Sequence, residues 1–68
     1  MQNERILRRK EVETVTGLGR SVIYELMADG TFPKSVPLLV NGRSVGWIQS
    51  EVQQWISERI EARGMATL

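Results

Sequence analysis

The sequence predicts a small, mostly-α domain of the α+β class, and three observations predict it. Apolar residues recur at helical spacing over Ile23, Leu26 and Met27, and again over Val52, Trp55, Ile56 and Ile60. Only a few residues around Gly17 separate the first two helical stretches, the spacing of a helix-turn-helix. Between Val36 and Ile48 the apolar period shifts to two, interrupted by the hairpin signal Asn41-Gly42. Helix, tight turn, helix, two-stranded hairpin and final helix follow one another in the order of a winged helix-turn-helix.

Ile6 and Leu7 form an apolar entry pair, expected as an extended segment under the domain. A first helix is predicted from Arg8 or Arg9 to Val15, with Val12 and Val15 on one face. Arg8 offers no acceptor as its N-cap, and Glu11 and Glu13 compensate in part through the helix dipole. Thr16 and Gly17 end this helix, Gly17 as the left-handed residue. Leu18 follows as a core plug. The second helix is predicted from Arg20 to Asp29, stopped by Gly30 and by Phe32-Pro33.

Val36, Leu38 and Val40 alternate as a strand that Pro37 confines to a sheet edge. Val45 to Ile48 is the return strand, and Asn41, Gly42, Arg43 and Ser44 form the tip. Ser50 and Gln53 read as a capping box at the start of a last helix that Gly64 stops after about Arg63. Residues 1–68 are predicted as one domain, ordered over about 5–63. The first four residues and the tail from Gly64 are expected to be mobile.

Composition excludes several function classes. The chain has 68 residues with no cysteine and no histidine. Disulfides, thiolate metal sites and the commonest general base are thereby removed, so an enzyme is the least expected class. GxxxxGK, GxGxxG and carboxylate-cluster patterns are absent, and no cofactor or metal is predicted. No apolar run approaches the roughly 20 residues that span a bilayer, and Met1 to Lys10 lacks a signal-peptide core. A cytoplasmic location with no membrane partner is the expectation. A core of this size gives marginal stability.

The net charge is only +1, but its distribution is uneven. Arg5, Arg8, Arg9 and Lys10 cluster near the start, Arg20, Lys34 and Arg43 run through the middle, and Glu51, Glu58 and Glu61 make the last third acidic. One basic face towards a polyanion fits this asymmetry, as does an ordinary solvated surface. In a helix-turn-helix the start of the second helix enters the major groove. There Arg20 suits guanine edges or phosphate, Ser21 and Tyr24 can donate to phosphate oxygens, and Glu25 could accept from a cytosine amine. An amphipathic helix with a polar outer face would show the same pattern. At the hairpin tip Gly42 permits close backbone approach, and Arg43 could enter a minor groove or clamp a phosphate. Arg8, Arg9, Lys10 and Lys34 are further candidates for phosphate contact. Trp47 and Trp55 sit at apolar phases and are assigned to the core rather than to base stacking.

Several ordered motifs carry a family resemblance. They are Leu7-Arg8-Arg9-Lys10-Glu11-Val12, Thr16-Gly17-Leu18-Gly19-Arg20-Ser21-Val22-Ile23-Tyr24 and Met27-Ala28-Asp29-Gly30-Thr31-Phe32-Pro33-Lys34. Gly42-Arg43-Ser44-Val45-Gly46-Trp47, Ser50-Glu51-Val52 and Trp55-Ile56 follow in the same order. Over about residues 5–63 the chain resembles the AlpA family of prophage transcriptional regulators. The resemblance implies a MerR-like, excisionase-like winged helix-turn-helix from a bacterium, phage or mobile element. It implies sequence-specific binding of double-stranded DNA and regulation of transcription, with Arg20, Ser21 and Tyr24 on the recognition helix and Arg43 on the wing. The alternative it implies is a recombination directionality factor that bends attachment-site DNA and recruits integrase. Integrase or RNA polymerase would then be partners, with self-association on tandem sites. Gly19 stands where many relatives have Ser, and Val22 where Thr is frequent.

Overall fold

The computed structural model describes residues 4–66. In chain order it contains β1 (Ile6–Leu7), α1 (Arg9–Thr16), α2 (Arg20–Ala28), β2 (Val36–Pro37), β3 (Val45–Ile48) and α3 (Gln49–Ala66). The strands form one antiparallel sheet in the order β1-β3-β2. Ile6 pairs with Ile48 and Leu7 with Trp47 on one side of β3, while Val36 pairs with Gly46 and Pro37 with Val45 on the other. The entry pair is therefore a strand in its own right, and the hairpin belongs to a three-stranded sheet. Pro37, which has no N–H to donate, lies on the edge strand as its chemistry requires.

The core takes one side chain from nearly every element. Leu7, Val12, Ile23, Phe32, Trp47 and Val52 are buried, and Leu18, Leu26, Met27, Val45, Trp55 and Ile56 line them. Each large apolar group so buried contributes roughly 1.5–3 kcal/mol. Trp47, on the central strand, is the largest fully buried side chain. Its Nε1–H meets no acceptor among the described residues. Phe32 and Trp55 meet edge to face at 5.0 Å, which ties the segment after α2 to α3.

Local chemistry explains the helix ends. At α1 the Glu11 carboxylate reaches back to accept the Arg8 backbone N–H at 2.9 Å, a function the Arg8 cation cannot perform. Gly17 ends α1 at φ 77°. Thr16 Oγ1 donates to the Val12 carbonyl and accepts the Leu18 N–H, which fixes the turn between the two helices. α2 ends in a Schellman arrangement: Gly30 N–H donates to Met27 O, Thr31 N–H donates to Leu26 O, and Gly30 has φ 86°. Asp29 Oδ1 accepts from both the backbone and the hydroxyl of Thr31.

Several expectations are corrected. The predicted strand from Val36 to Val40 stops at Pro37, although Leu38 N–H donating to Ser44 O at 2.7 Å extends the ladder by one bond. The turn is not a two-residue Asn41-Gly42 turn. Gly42 N–H donates to Leu39 O, so Val40 and Asn41 are the central residues and Gly42 follows at φ 72°. Helix α3 begins at Gln49, so Ser50 lies inside it, and the Ser50 hydroxyl donates to the Glu4 carboxylate instead of closing a capping box. Gly64 does not stop α3, which continues to Ala66. A helical glycine costs only about 1 kcal/mol and ends a helix when it turns left-handed, which Gly64 does not. Val15 is 45% exposed and Ile60 53% exposed, so neither joins the buried stripe. The mobility expected of residues 1–3 and 67–68 concerns positions outside the described residues.

Candidate nucleic-acid interface

Helix α2 turns Ile23, Leu26 and Met27 inward. That leaves Arg20, Ser21, Tyr24, Glu25 and Ala28 on its exposed surface. Gly19 is the N-cap and supplies no side-chain acceptor, and no acidic residue occupies the first turn. By contrast, α1 has Glu11 and α3 has Glu51 in the first turn. The start of α2 thus keeps the positive end of its dipole and adds the Arg20 cation.

The tip between β2 and β3 is fixed by two local bonds. Asn41 Oδ1 accepts the Arg43 N–H at 2.9 Å, and Gly42 N–H closes the turn on Leu39 O. Asn41, Gly42 and Arg43 are exposed, and Ser44 is half-buried where its carbonyl accepts the Leu38 N–H. α2 and this loop are joined through the sheet: the Tyr24 ring stands edge-on to Trp47, with centroids 6.3 Å apart and an interplanar angle of 68°. Tyr24, 40% exposed, therefore has one side against the core and the other in solvent.

The cations divide into two groups. Arg5 pairs with Glu11 at 2.9 Å, Arg9 pairs with Glu13 at 2.6 Å, Arg59 lies over the Trp55 ring at 5.9 Å, and Arg63 is also engaged. The remaining five, Arg8, Lys10, Arg20, Lys34 and Arg43, are exposed and have no ion pair among the described residues. Arg9, one of the predicted phosphate contacts, is thus already compensated within α1. Lys10 lines a shallow cleft with Glu13, Gly17, Leu18 and Gly19, beside the turn that leads into Arg20, and the Glu13 carboxylate there is paired with Arg9. Lys34 lines a different, wider cleft with Glu51 and Glu58, so acidic neighbours weaken its claim on a polyanion.

Sequence reasoning missed two features of this region. Val40, read as a strand residue, stands at the turn apex with 109% relative exposure, and Leu39 beside it is 54% exposed. An apolar residue directly preceding Asn-Gly is ambiguous between strand end and turn centre. The second feature is Gly46, buried in the middle of β3, where the Ile6 and Leu38 side chains and the Leu7 carbonyl crowd the missing Cβ. A glycine inside an apolar strand run signals such a close approach.

Among the described residues no helix is long and apolar enough to cross a membrane. Comparison with known proteins gives concordant matches. The family profile described as "Prophage CP4-57 regulatory protein (AlpA)" matches residues 5–60. The chain is 48% identical over 60 residues to the uncharacterized protein ORF88 of Enterobacteria phage P4, a match covering 88% of this chain and 66% of the phage protein. It is 43% identical over 61 residues to the DNA-binding transcriptional activator AlpA of Escherichia coli K12, covering 81% of this chain and 84% of that protein. The chain thus spans just under two thirds of the phage P4 relative and most of the Escherichia coli one. With the profile covering α1, α2, the sheet and most of α3, the chain belongs to the AlpA family of prophage regulatory proteins.

Proposed function

We propose that this protein is a sequence-specific double-stranded DNA-binding regulator of transcription, using α2 in the major groove and the β2–β3 loop as a wing against the adjacent backbone or minor groove. Arg20 reads a guanine edge or grips a phosphate at the start of α2, where no carboxylate competes. Ser21 and Tyr24 donate to phosphate oxygens, and Glu25 accepts from a cytosine amine. Asn41 and Gly42 shape the wing, Ser44 anchors its base, and Arg43 carries its charge. Arg8 and Lys10 extend the basic surface along the phosphates.

The observation that carries this reading is that Arg20 and Arg43 are both exposed and unpaired, on elements linked through the Tyr24–Trp47 ring contact. The Escherichia coli relative, itself a DNA-binding transcriptional activator, supports it. The test is selection of bound sequences from a random duplex pool, followed by mobility shifts with Arg20→Ala and Arg43→Ala. Loss of a bidentate guanine contact should weaken selected-site binding by about 1–3 kcal/mol and relax preference at one base pair. Equal affinity of the native protein for selected and random duplexes would refute it.

A further inference from the structure

Val40, the first central residue of the turn, is apolar, as is Leu39 just before it, where turns usually carry glycine, proline, asparagine, aspartate or serine. The structure gives these side chains no folding role to match. Leu38, the next residue back, does have one: its Cδ1 lies 3.4 Å from where a Gly46 Cβ would be, so it covers the sheet. Val40 is 109% exposed and belongs to no core cluster, and Leu39 is half in solvent. The apex is nonetheless held in shape, by Gly42 N–H on Leu39 O and Arg43 N–H on Asn41 Oδ1. An unpaired guanidinium, Arg43, stands three residues beyond Val40 on the same loop.

A rigid apolar point next to a free cation has the chemistry of a duplex wedge. Resting on the DNA-binding reading above, we propose that Leu39 and Val40 insert between base pairs from the minor groove and partly unstack one step, while Arg43 holds the flanking phosphate or groove floor. Apolar side chains of this size unstack base steps at a cost of a few kcal/mol per step, recovered through closer contact along the duplex. A protein partner fits the apex less well. Stable protein interfaces bury about 800 Å² per partner, far more than two side chains on a turn supply. The wedge also predicts a preference that no hydrogen bond explains, for a flexible pyrimidine–purine step under the wing.

The test uses the full chain and a duplex from the random-pool selection, with 2-aminopurine placed in turn at each adenine of the bound site. Native protein should raise fluorescence at one step on the wing side. The double variant Leu39→Ser, Val40→Ser should bind that duplex more weakly and lose the rise even at saturating protein, and far-UV circular dichroism should show it folded as the native protein is. Binding by native protein without unstacking at any step overturns the wedge and leaves the DNA-binding reading intact. An undiminished rise with the double variant also overturns it. Failure of the native protein to bind any duplex removes both readings. A change in sedimentation of the free protein on apex substitution would identify a contact between copies instead and overturn the wedge.

Discussion

Replacing Gly46 by alanine tests how closely β1 packs against β3. A Cβ at this position would lie 2.3 Å from Ile6 Cγ2, 3.2 Å from the Leu7 carbonyl oxygen and 3.4 Å from Leu38 Cδ1. Carbon pairs settle at about 3.5–4.0 Å, so the Ile6 methyl must withdraw by more than about 1 Å. Ile6 is partly exposed and its side chain can turn away. The Leu7 carbonyl cannot move so freely, because Leu7 is buried and pairs with Trp47. Overpacking of this kind costs about 1–3 kcal/mol. Alanine recovers about 0.5–1 kcal/mol of backbone entropy relative to glycine in a strand. A net loss of up to about 2.5 kcal/mol follows, about 1 kcal/mol at mid-range, and each kcal/mol lowers Tm by about 4–8 °C in a domain of this size. Urea denaturation followed by circular dichroism reads this directly. Ile6→Ala removes the closest atom, so the double variant should be less destabilised than the two single changes added together. A Gly46→Ala effect that is the same with Ile6 and with Ala at position 6 would refute the close approach of β1 to β3.

Other outcomes follow from the same geometry. If the five unpaired cations all met phosphates, the slope of log K against log salt would reach about −4.5. Replacing Arg8, Lys10 or Arg43 by alanine should reduce its magnitude by roughly 0.9 each, whereas Arg9→Ala, already paired with Glu13, should change it less; an equal change at Arg9 would contradict the division between paired and free charge. Hydrogen bonds from the Thr31 hydroxyl and backbone hold the Asp29 carboxyl below its ordinary value of 3.8. Its stabilising contribution is therefore fully present above that value and lost as pH falls through the lowered one, so Asp29→Asn should flatten the acid limb of the pH–stability curve, and an unchanged limb would count against the cap.

Much of this architecture was legible because local chemistry and tertiary packing agree. Gly17 and Gly30 mark the ends of α1 and α2 as expected, since only a left-handed residue satisfies those carbonyls cheaply. Trp47 and Val52 fall at buried phases of their elements. Short-range rules failed where a distant residue decides. The Ser50 hydroxyl turns to Glu4, far away in sequence, instead of capping its own helix. Gly64 has a helical environment that no neighbour interrupts, so its low propensity is overridden. Val15 has the right spacing to share the Val12 face but lies one turn too far towards the end of α1 to be covered.

The candidate site was legible residue by residue but not in its pairing. Arg9 and Lys10 are equivalent as letters, yet Glu13 one turn on neutralises the first and leaves the second free. Arg20 and Arg43 lie far apart in the chain, and only the sheet, through Trp47 and Tyr24, relates the elements that carry them. The exposed pair Leu39 and Val40 was hidden because alternation in Val36, Leu38 and Val40 imitates a longer strand than the turn beginning at Leu39 leaves room for.

The most direct test of a two-element grip on one duplex is an amide chemical-shift titration of the labelled protein with a selected duplex. Residues 20–25 of α2 and 38–44 of the wing should shift together and saturate at one protein-to-DNA ratio. Shifts confined to residues 50–64, or wing and helix saturating at different ratios, would contradict it.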